Sequence, residues 1–438
     1  MHLYPICGIF WIIVGSVVIH INFFSSVVSY FVIRSLPLVD GEMYKIWSSP
    51  IPLYLSCYVF NVTNPDEVMQ GQNPKLVEYG PIVYDEIYEK QVMDVDEELD
   101  EIVHTTTSKY TLNKKLSVPI SRHDKVTVLN PAYIGAISML TSLPPDFLKK
   151  YGDHIPKLFP NQSSIFLTVR PTDILFDGVK VSCNEKKYPE LKMICETLDS
   201  YPSPAFRRSE KPGVYYLSMF QRTNGTIRGP FTVNRGLRNI SRLGDITSYK
   251  GRRIQTVWNT DDCNTVKGTD TITWAPLIRA ERFVTMFTIE LCRSLEADYV
   301  KNVSSHGING LKYAGKAKIW YPNNTKCFCQ IEKDVLQCLP QGLVDIYDCQ
   351  KMPGILSEPH FLHADPSLLT YAEGLYPNES LHETYIVIEP YTGAPLSGSK
   401  KIQVNLKLEK LPVKLLSNVS EGYFPIVWCA NVRSLFRN

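Results

Sequence analysis

The sequence predicts a mainly β domain with short helices, placed behind one N-terminal transmembrane helix. Aromatic and β-branched runs separated by turn residues recur along the chain, which is typical of strands. The 438 residues include 30 prolines and 25 tyrosines, a composition that favours strands and turns over long helices. No internal repeat or low-complexity linker divides the chain, so residues 34–438 are expected to form a single domain.

The predicted transmembrane helix covers residues 6–33, a run without Asp, Glu, Lys or Arg. As a helix it would be about 42 Å long, more than the roughly 30 Å of a hydrocarbon core. A cleaved signal peptide would have a shorter apolar region and a basic start, which the opening MHLYP lacks. Residues 1–5 are then a short cytoplasmic tail. Cys7, at the membrane edge, is a candidate lipidation site, with an unmodified cysteine as the alternative.

Strands are predicted along most of the remaining chain. The first runs from Leu53 to Val62, and two more follow, separated by an acidic run at residues 94–101 that is expected to be a solvated hairpin tip. Others are predicted at 213–223, 282–289, 316–322 and 384–391. From Lys401 apolar and polar residues alternate, which predicts one buried and one solvated face. The expected buried set is Ile402, Val404, Leu406 and Leu408, and the solvated set is Lys401, Gln403, Asn405 and Lys407.

Residues 130–160 interrupt this pattern with two or three short helices. Asn130 and Pro131 are typical of an N-cap and a first helical position, and a second helix follows Pro144 and ends near Gly152. Six apolar residues recur in this segment: Ile134, Ile137, Leu140, Phe147, Leu148 and Tyr151. A packed core is the plainer interpretation, but such a segment could also form an amphipathic cap over a cavity.

Cysteines and glycosylation sequons indicate the compartment. Six of the 11 cysteines lie within residues 263–349, which indicates either disulfides or a metal cluster. Eight Asn-x-Ser/Thr sequons favour the secretory pathway, at Asn61, Asn161, Asn224, Asn239, Asn302, Asn323, Asn378 and Asn418. They outweigh Arg34 and Lys45, which by charge alone would retain the domain in the cytosol. We therefore expect a cell-membrane protein whose main domain is extracellular or luminal.

Several classes of function are disfavoured. The net charge of +2 gives no reason to expect nucleic acid as a partner. Walker, GxGxxG, GxSxG and HExxH motifs are absent, so no catalytic residue and no cofactor are predicted, and a lipid hydrolase or an adhesion glycoprotein remain as alternatives. His360 and His363 are flanked by prolines and cannot share a helix face, so no metal site is predicted.

Several motifs resemble the class B scavenger receptor family, which includes fatty acid translocase, the lysosomal integral membrane protein and the insect sensory neuron membrane proteins. They are NVTNPDEV, VTVLNPA, WNTDDCNTVKGTD, CFC, PHFLHADPSLL and TYIVIEPYTGAP, in the expected order between about residue 38 and Trp428. Two segments, RPTDILFDG and FTVNRGLRNISRLGDITSYKGRRIQTVWN, look most like the sensory neuron branch.

The resemblance implies a glycosylated antiparallel β-barrel with a helical cap at about 130–160 and an internal hydrophobic tunnel. Such a receptor captures lipids or lipophilic signals, here a fatty-acid-derived pheromone or odorant, and passes them to the membrane or to odorant receptors. A ligand-carrier protein is a further candidate partner. A general receptor for lipids or lipoproteins is the alternative. The six apolar residues above would form the ligand entrance. Lys149, Lys150 and Lys157 are candidates for steering an acidic ligand, and the plainer interpretation is that they are ordinary solvated helix lysines.

The resemblance also implies a set of disulfide bridges. These are Cys263–Cys327, Cys292–Cys349 and Cys329–Cys338. Cys183 and Cys195 would form a fourth bridge or remain two separate thiols.

Two departures from the family pattern are visible in the sequence. Asn161 and Gln162 replace a lysine pair of the fatty acid translocase branch, so the carboxylate-binding role of that pair does not carry over. The resemblance also implies a second transmembrane helix after Trp428, whereas the final residues CANVRSLFRN contain no apolar span.

Overall fold

The computed structural model describes residues 15–16, 23–121, 123–200, 206–280, 282–315, 320, 327–332 and 335–434. Cys7, most of the predicted transmembrane segment 6–33, the Asn323 sequon and most of the predicted strand 316–322 lie outside these residues. Within the described part of the chain, no helix has both the length and the apolar character needed to cross a membrane.

The described helices are short. They are α1 (Phe23–Ser35), α2 (Glu42–Ser48), α3 (Pro65–Val68), α4 (Pro131–Thr141), α5 (Pro145–Tyr151), α6 (Lys192–Ser200), α7 (Asp261–Asn264), α8 (Tyr347–Gln350) and α9 (Glu379–His382). Short 3₁₀ or π segments occur at Gly152–Leu158, Asp173–Asp177, Pro189–Leu191, Gln221–Thr223, Ile240–Arg242, Pro359–Phe361 and Pro366–Thr370.

Strands make up most of the regular structure. They are β1 (Ile51–Val62), β2 (Leu76–Asp96), β3 (Glu101–Leu112), β4 (Val126–Leu129), β5 (Phe166–Val169), β6 (Val179–Ser182), β7 (Phe206–Arg208), β8 (Val214–Leu217), β9 (Arg228–Asn234), β10 (Ile246–Tyr249), β11 (Val284–Thr288), β12 (Arg293–Ser305), β13 (Ile308–Ala314), β14 (Gln330–Glu332), β15 (Val335–Gln337), β16 (Val344–Asp345), β17 (Ile355–Ser357), β18 (Tyr385–Ile388), β19 (Pro395–Leu408) and β20 (Gly422–Ser434).

Thirteen of the described strands form one antiparallel sheet. Its main order is β10-β9-β3-β2-β1-β20-β19-β18-β13-β12-β11, and β17, paired with β16, adds to β19. Strands β1 and β20, the first and last of these strands along the chain, pair with each other. Cys57 in β1 lies opposite Cys429 in β20. The mainly β, antiparallel fold with short helices is thus confirmed.

The backbone of Gly268 and Thr269 joins the two ends of this sheet. The Ile246 N–H of β10 donates to the Gly268 carbonyl at 2.8 Å, and the Phe287 N–H of β11 donates to the Thr269 carbonyl at 2.9 Å. Gly268 has a φ of +84°, and a Cβ there would lie 2.4 Å from the Thr285 carbonyl oxygen. Only glycine therefore allows the backbone at residue 268 to lie this close to β11. The sheet is therefore nearly closed around its interior.

The predicted acidic hairpin is confirmed. Strands β2 and β3 pair from Tyr84 opposite Leu112 to Asp96 opposite Glu101, and the acidic run lies at the turn. Most of its side chains are exposed or half-buried. Asp100 is the exception, because its carbonyl accepts from the Arg235 N–H and its carboxylate from the Arg238 N–H.

The prediction of a solvated face on the strand that begins near Lys401 is wrong at three of its four positions. Only Lys407 is exposed, while Leu406 and Leu408 are buried as expected. Gln403 and Asn405 are fully buried and Lys401 nearly so, while Ile402 and Val404 are only half-buried. The segment around β17 covers the polar face. The Gln403 side-chain oxygen accepts from the His360 N–H, and the Asn405 amide donates to the Ser357 hydroxyl. Polar residues are buried here because each finds a partner.

Candidate ligand-binding cavity

The helical segment at 130–160 is built as the sequence predicts. Asn130 caps α4 by accepting hydrogen bonds from the N–H groups of Ala132 and Tyr133, both at 3.1 Å, and Pro131 is the first helical residue. Helix α5 and the 3₁₀ turn Gly152–Leu158 follow. A Cβ on Gly152 would lie 2.7 Å from Val413, which shows how closely the segment packs on the domain.

The apolar residues predicted to form a ligand entrance mostly face the protein core. Ile134, Ile137, Leu140 and Leu148 are buried in the main hydrophobic core, while Phe147 and Tyr151 are half-buried against it. The large apolar side chains that α4 and the following turn expose are Met139 and Leu143. The sequence pattern alone does not distinguish the buried apolar side chains from the exposed ones, because both sets recur at helical spacing.

The predicted steering lysines have different environments. Lys149 and Lys150 are exposed at the end of α5. Lys157 instead forms a close ion pair with Glu190 and contacts His154. The Lys157 ammonium lowers the pKa of the Glu190 carboxyl. Only the first two are therefore free of an ion-pair partner among the described residues.

A cavity of about 240 Å³ lies inside the nearly closed sheet. Alternate residues of β3 line one wall, namely His104, Thr106, Ser108 and Tyr110. Because side chains of a strand alternate between faces, this spacing turns a row of polar groups inward. Apolar side chains complete much of the wall, including Leu53, Phe231, Ile246, Met286, Phe287 and Leu295.

Four of the five charged side chains that line the cavity, Arg228, Asp270, Glu290 and Lys400, take part in ion pairs. One Glu290 carboxylate oxygen lies 2.8 Å from the Lys400 ammonium and 3.8 Å from the Arg228 guanidinium. Burial alone would raise the pKa of Glu290, but the two cations lower it to about 2. Asp270 forms an almost fully buried ion pair with Lys90 at 2.9 Å. This pairing holds the pKa of Asp270 below its usual value despite burial.

His104 is the most unusual polar group of the wall. It is 0% exposed, and its ring contacts those of Trp47 edge-on and Phe231 face-on, with centroid distances of 5.0 and 5.5 Å. Burial, and then the charge of Lys90, lowers the pKa of His104 to about 3, so the imidazole is neutral at physiological pH. Its place in the wall is not evident from the sequence. The available signal is the run of polar residues within IVHTTTSKY, and its inward-facing members can be identified only once the strands on both sides of β3 are known.

The two histidines that were considered for metal binding belong to separate hydrogen-bonded pairs. The His360 Nε2 contacts Glu78 at 2.8 Å, and the His363 Nδ1 contacts Glu358 at 2.8 Å. The hydrogen bond that His363 donates to the Glu358 carboxylate raises the pKa of His363. In the described residues, no group of three or more His, Cys, Asp or Glu side chains is arranged to hold a metal ion.

Five disulfides link the described cysteines. The structure joins Cys263 to Cys327, Cys292 to Cys349, Cys329 to Cys338 and Cys183 to Cys195. The fifth, Cys57–Cys429, connects β1 to β20 and was not foreseen. Their separation of 372 residues gave no sequence signal, since only the pairing of the first and last strands brings them together.

The described sequon asparagines differ in exposure. Five are exposed, at Asn161, Asn239, Asn302, Asn378 and Asn418. Asn61 and Asn224 are half-buried, and their side-chain oxygens accept hydrogen bonds from the Thr127 and Tyr110 N–H groups. Exposed positions are the ones that present an asparagine amide to modification without disturbing the sheet.

A model of the CD36 family matches residues 6–436. The chain belongs to the CD36 family. The sensory neuron membrane protein 2 of Manduca sexta is 33% identical over 421 residues, which are 92% of this chain and 80% of that relative. The protein of the same name from Heliothis virescens is 32% identical over 401 residues, 89% of this chain and 76% of the relative. Sensory neuron membrane protein 1 of Apis mellifera is 33% identical over 401 residues, covering 90% and 76%.

Membership confirms the resemblance to class B scavenger receptors and to the sensory neuron membrane proteins. It supports a lipid-binding receptor of the class B scavenger type, in a family of membrane proteins with large extracellular domains. Within this chain, the cavity inside the nearly closed sheet is the feature that such a role would use.

Proposed function

We propose that this chain is a membrane receptor that captures lipophilic ligands at its helical cap and passes them through its interior towards the membrane. The cavity inside the nearly closed sheet carries the proposal. A long acyl chain costs about 0.8 kcal/mol per methylene to keep in water, so an apolar interior lowers the barrier to its transfer. No catalytic chemistry is required for this function.

The ligand entrance is proposed at the cap formed by α4, α5 and the turn Gly152–Leu158. Met139 and Leu143 offer exposed apolar surface for first contact, and Phe147 and Tyr151 are half-buried behind them. The core residues Ile134, Ile137, Leu140 and Leu148 would then line the route only if the helices separate. A continuous tunnel from this cap to the sheet cavity is part of the proposal.

The proposed receptor is anchored by residues 6–33, with residues 1–5 in the cytosol and residues 34–438 outside the cell or in a lumen. The exposed sequons and the five disulfides support this orientation, because both belong to an oxidising, glycosylating compartment. Lipidation of Cys7 would add a second attachment on the cytosolic side.

The ligand is proposed to be a fatty-acid-derived pheromone or odorant, handed to odorant receptors or taken from a carrier protein. The relatives named sensory neuron membrane proteins support this choice over a general lipid or lipoprotein receptor. The tissue distribution of the protein distinguishes the sensory role from that of a general lipid or lipoprotein receptor. Expression confined to chemosensory cells is expected, and expression confined to gut or blood cells would overturn the sensory role.

Filling the cavity tests the transfer function directly. Ala297 is buried and lines the cavity, while Glu296, the preceding residue of β12, is exposed. In cells that express the full chain, A297F should lower uptake of a fluorescent long-chain ester, and the matched variant E296F should not. Surface labelling confirms equal display of both variants. Equal uptake by A297F and the unaltered chain would reject the cavity as the route.

A further inference from the structure

Two stacked histidines lie away from the cavity, where a surface segment meets the sheet. The ring centroids of His360 and His382 are 4.3 Å apart, and the ring planes are nearly parallel, at 11°. Both side chains are almost fully buried, with exposed fractions of 2% and 4%. His360 belongs to the turn Pro359–Phe361, and His382 ends α9. Two imidazolium ions at this distance repel each other, so the stack is stable only while at least one ring is neutral.

Each ring accepts a hydrogen bond from the backbone of one segment, residues 374–382, here named the strap. The Tyr376 N–H donates to the His360 Nδ1 at 3.0 Å, and the Asn378 N–H donates to the His382 Nδ1 at 3.1 Å. Nδ1 is therefore the unprotonated nitrogen of each neutral ring. Protonation of either imidazole places a hydrogen on that Nδ1, which opposes the backbone N–H and breaks the bond.

The strap is otherwise held loosely. Within the described chain, the Tyr376 bond is the one hydrogen bond that the strap backbone donates to another segment. Tyr376 and Leu381 are 76% and 60% exposed, and the buried strap side chains are Leu375 and His382. The His382 ring packs edge-on against Trp428, with centroids 5.3 Å apart. The two imidazoles thus largely determine how firmly the strap is attached.

The turn that presents His360 has an unusual backbone. His360, Phe361 and His363 have φ values of +54°, +56° and +58°, a region that residues with side chains adopt rarely and only where their surroundings hold them. The His360 N–H donates to the Gln403 side-chain oxygen at 2.7 Å, and the His360 Nε2 donates to the Glu78 carboxylate at 2.8 Å. His360 is therefore fixed to the sheet, and the strap is the part that moves when the bond between them breaks.

Charged groups around the two rings act in both directions. Glu78 lies beside both rings, and its charge raises the pKa of His382, whereas Lys401 lowers it. Burial, and then the neighbouring His360, has the larger effect and lowers the pKa of His382 to about 4. The attached ring is therefore neutral at physiological pH. The other titratable groups on the packed elements are Tyr58 beside Glu78, Glu358 and Glu379 beside His363, and Glu383 paired with Lys312.

We propose that the strap is an acid-sensitive switch that detaches from the sheet when these two imidazoles take up protons. The Tyr376 and Asn378 hydrogen bonds break, His382 leaves its place on His360, and the Trp428 ring is uncovered. The molecule then presents a different surface in an acidic lumen from the one it presents at neutral pH. The strap lies outside the cavity, so its release does not depend on the function proposed above.

Hydrogen exchange on the full chain in lipid nanodiscs measures the release. A detached His382 binds its proton with a pKa of about 6.5 and the attached ring with a pKa of about 4, so the opening equilibrium should rise about 20-fold between about pH 7 and about pH 5. Exchange at the amides of residues 376 and 378, corrected for the intrinsic effect of pH, should rise accordingly. The control amides are those of residues 132 and 133, because their acceptor is the Asn130 side chain, which does not titrate.

Glutamine variants separate titration from packing. H360Q and H382Q each keep one donor and one acceptor but cannot take up a proton at these pH values. The double variant H360Q/H382Q should protect residues 376 and 378 as well in acid as at neutral pH, and each single variant should show a smaller rise than the unaltered chain. The matched control is H306Q, in the exposed turn between β12 and β13, which should keep the full rise.

Equal corrected exchange at the two pH values in the unaltered chain would overturn the switch. The same conclusion follows if the double variant keeps the full rise, because another group would then be titrating. Thermal unfolding at neutral pH establishes that each variant is folded. If the double variant does not fold, H382Q alone decides, because the loss of one of the two imidazoles must reduce the rise.

Discussion

The buried imidazole of His104 should make stability depend on pH. Its folded-state pKa of about 3 lies below the usual 6.5 of an unfolded histidine, so the unfolded chain binds a proton first as the pH falls. The stabilising contribution is therefore complete above pH 6.5 and is lost progressively down to about pH 3. Between pH 6.5 and 5 the loss is about 2 kcal/mol.

Denaturant unfolding at several pH values measures this effect. H104Q should flatten the dependence of the unfolding free energy on pH in this range, although other groups keep some slope. Burial and the charge of His360 lower the pKa of His382 to about 4, so His382 also destabilises the fold as the pH falls. Its contribution remains in H104Q and serves as an internal reference. An unchanged slope in H104Q would show that His104 does not titrate as its burial indicates.

The ion pair between Lys90 and Asp270 should be costly to break from one side. K90M leaves the Asp270 carboxylate buried without its cation, and we expect a loss of about 3–5 kcal/mol in unfolding free energy. The double variant K90M/D270L should recover much of this loss. The matched control is the exposed pair Lys109–Glu89, also 2.9 Å apart, for which K109M should cost less than about 1 kcal/mol. Equal losses for K90M and K109M would contradict the assignment.

At the scale of single elements, helix α4 depends on its N-cap. N130A removes the oxygen that accepts from the Ala132 and Tyr133 N–H groups, and should cost about 1 kcal/mol. N130S keeps an acceptor and should cost less. Hydrogen exchange at the amides of residues 132–133 reports the change locally. No faster exchange in N130A would mean that packing alone holds the helix start.

The elements that could be predicted are those for which short-range turn or capping interactions and tertiary packing favour the same structure. The acidic hairpin and the Asn130-Pro131 helix start follow from turn and capping chemistry, which acts over a few residues. The strand that the structure places at Pro395–Leu408 is predicted from Lys401 onward, but the burial of the face containing Gln403 and Asn405 is not. Polar residues are normally a sign of solvent, and only the segment around β17 supplies the partners that permit their burial.

At the scale of the whole molecule, the Cys57–Cys429 bridge should contribute more to stability than a local bridge. It spans 372 residues, compared with 12 for Cys183–Cys195. In the chain-entropy model a longer closed loop gives greater stabilisation, typically within about 2–5 kcal/mol. C57A/C429A should therefore lower the thermal midpoint more than C183A/C195A. Peptide mapping without reduction verifies the five pairs, and a reversed order of midpoints would contradict the model.

The exposure of the sequons predicts a pattern of glycosylation. Asn161, Asn239, Asn302, Asn378 and Asn418 should carry glycans at high occupancy, and the half-buried Asn61 and Asn224 at lower occupancy. Enzymatic deglycosylation in heavy-oxygen water followed by mass spectrometry measures each site. Absence of glycans from all five exposed sites would overturn the proposed orientation of the domain.

The sequence by itself determined the fold class, the likeness to class B scavenger receptors and the compartment-related features, because these depend on local patterns and short motifs. The tertiary structure alone revealed the cavity, the buried row from His104 to Tyr110 and the Cys57–Cys429 bridge. These features join residues from strands far apart in the chain. Their physical cause is the near closure of one antiparallel sheet, which turns alternate side chains of every strand towards a shared interior.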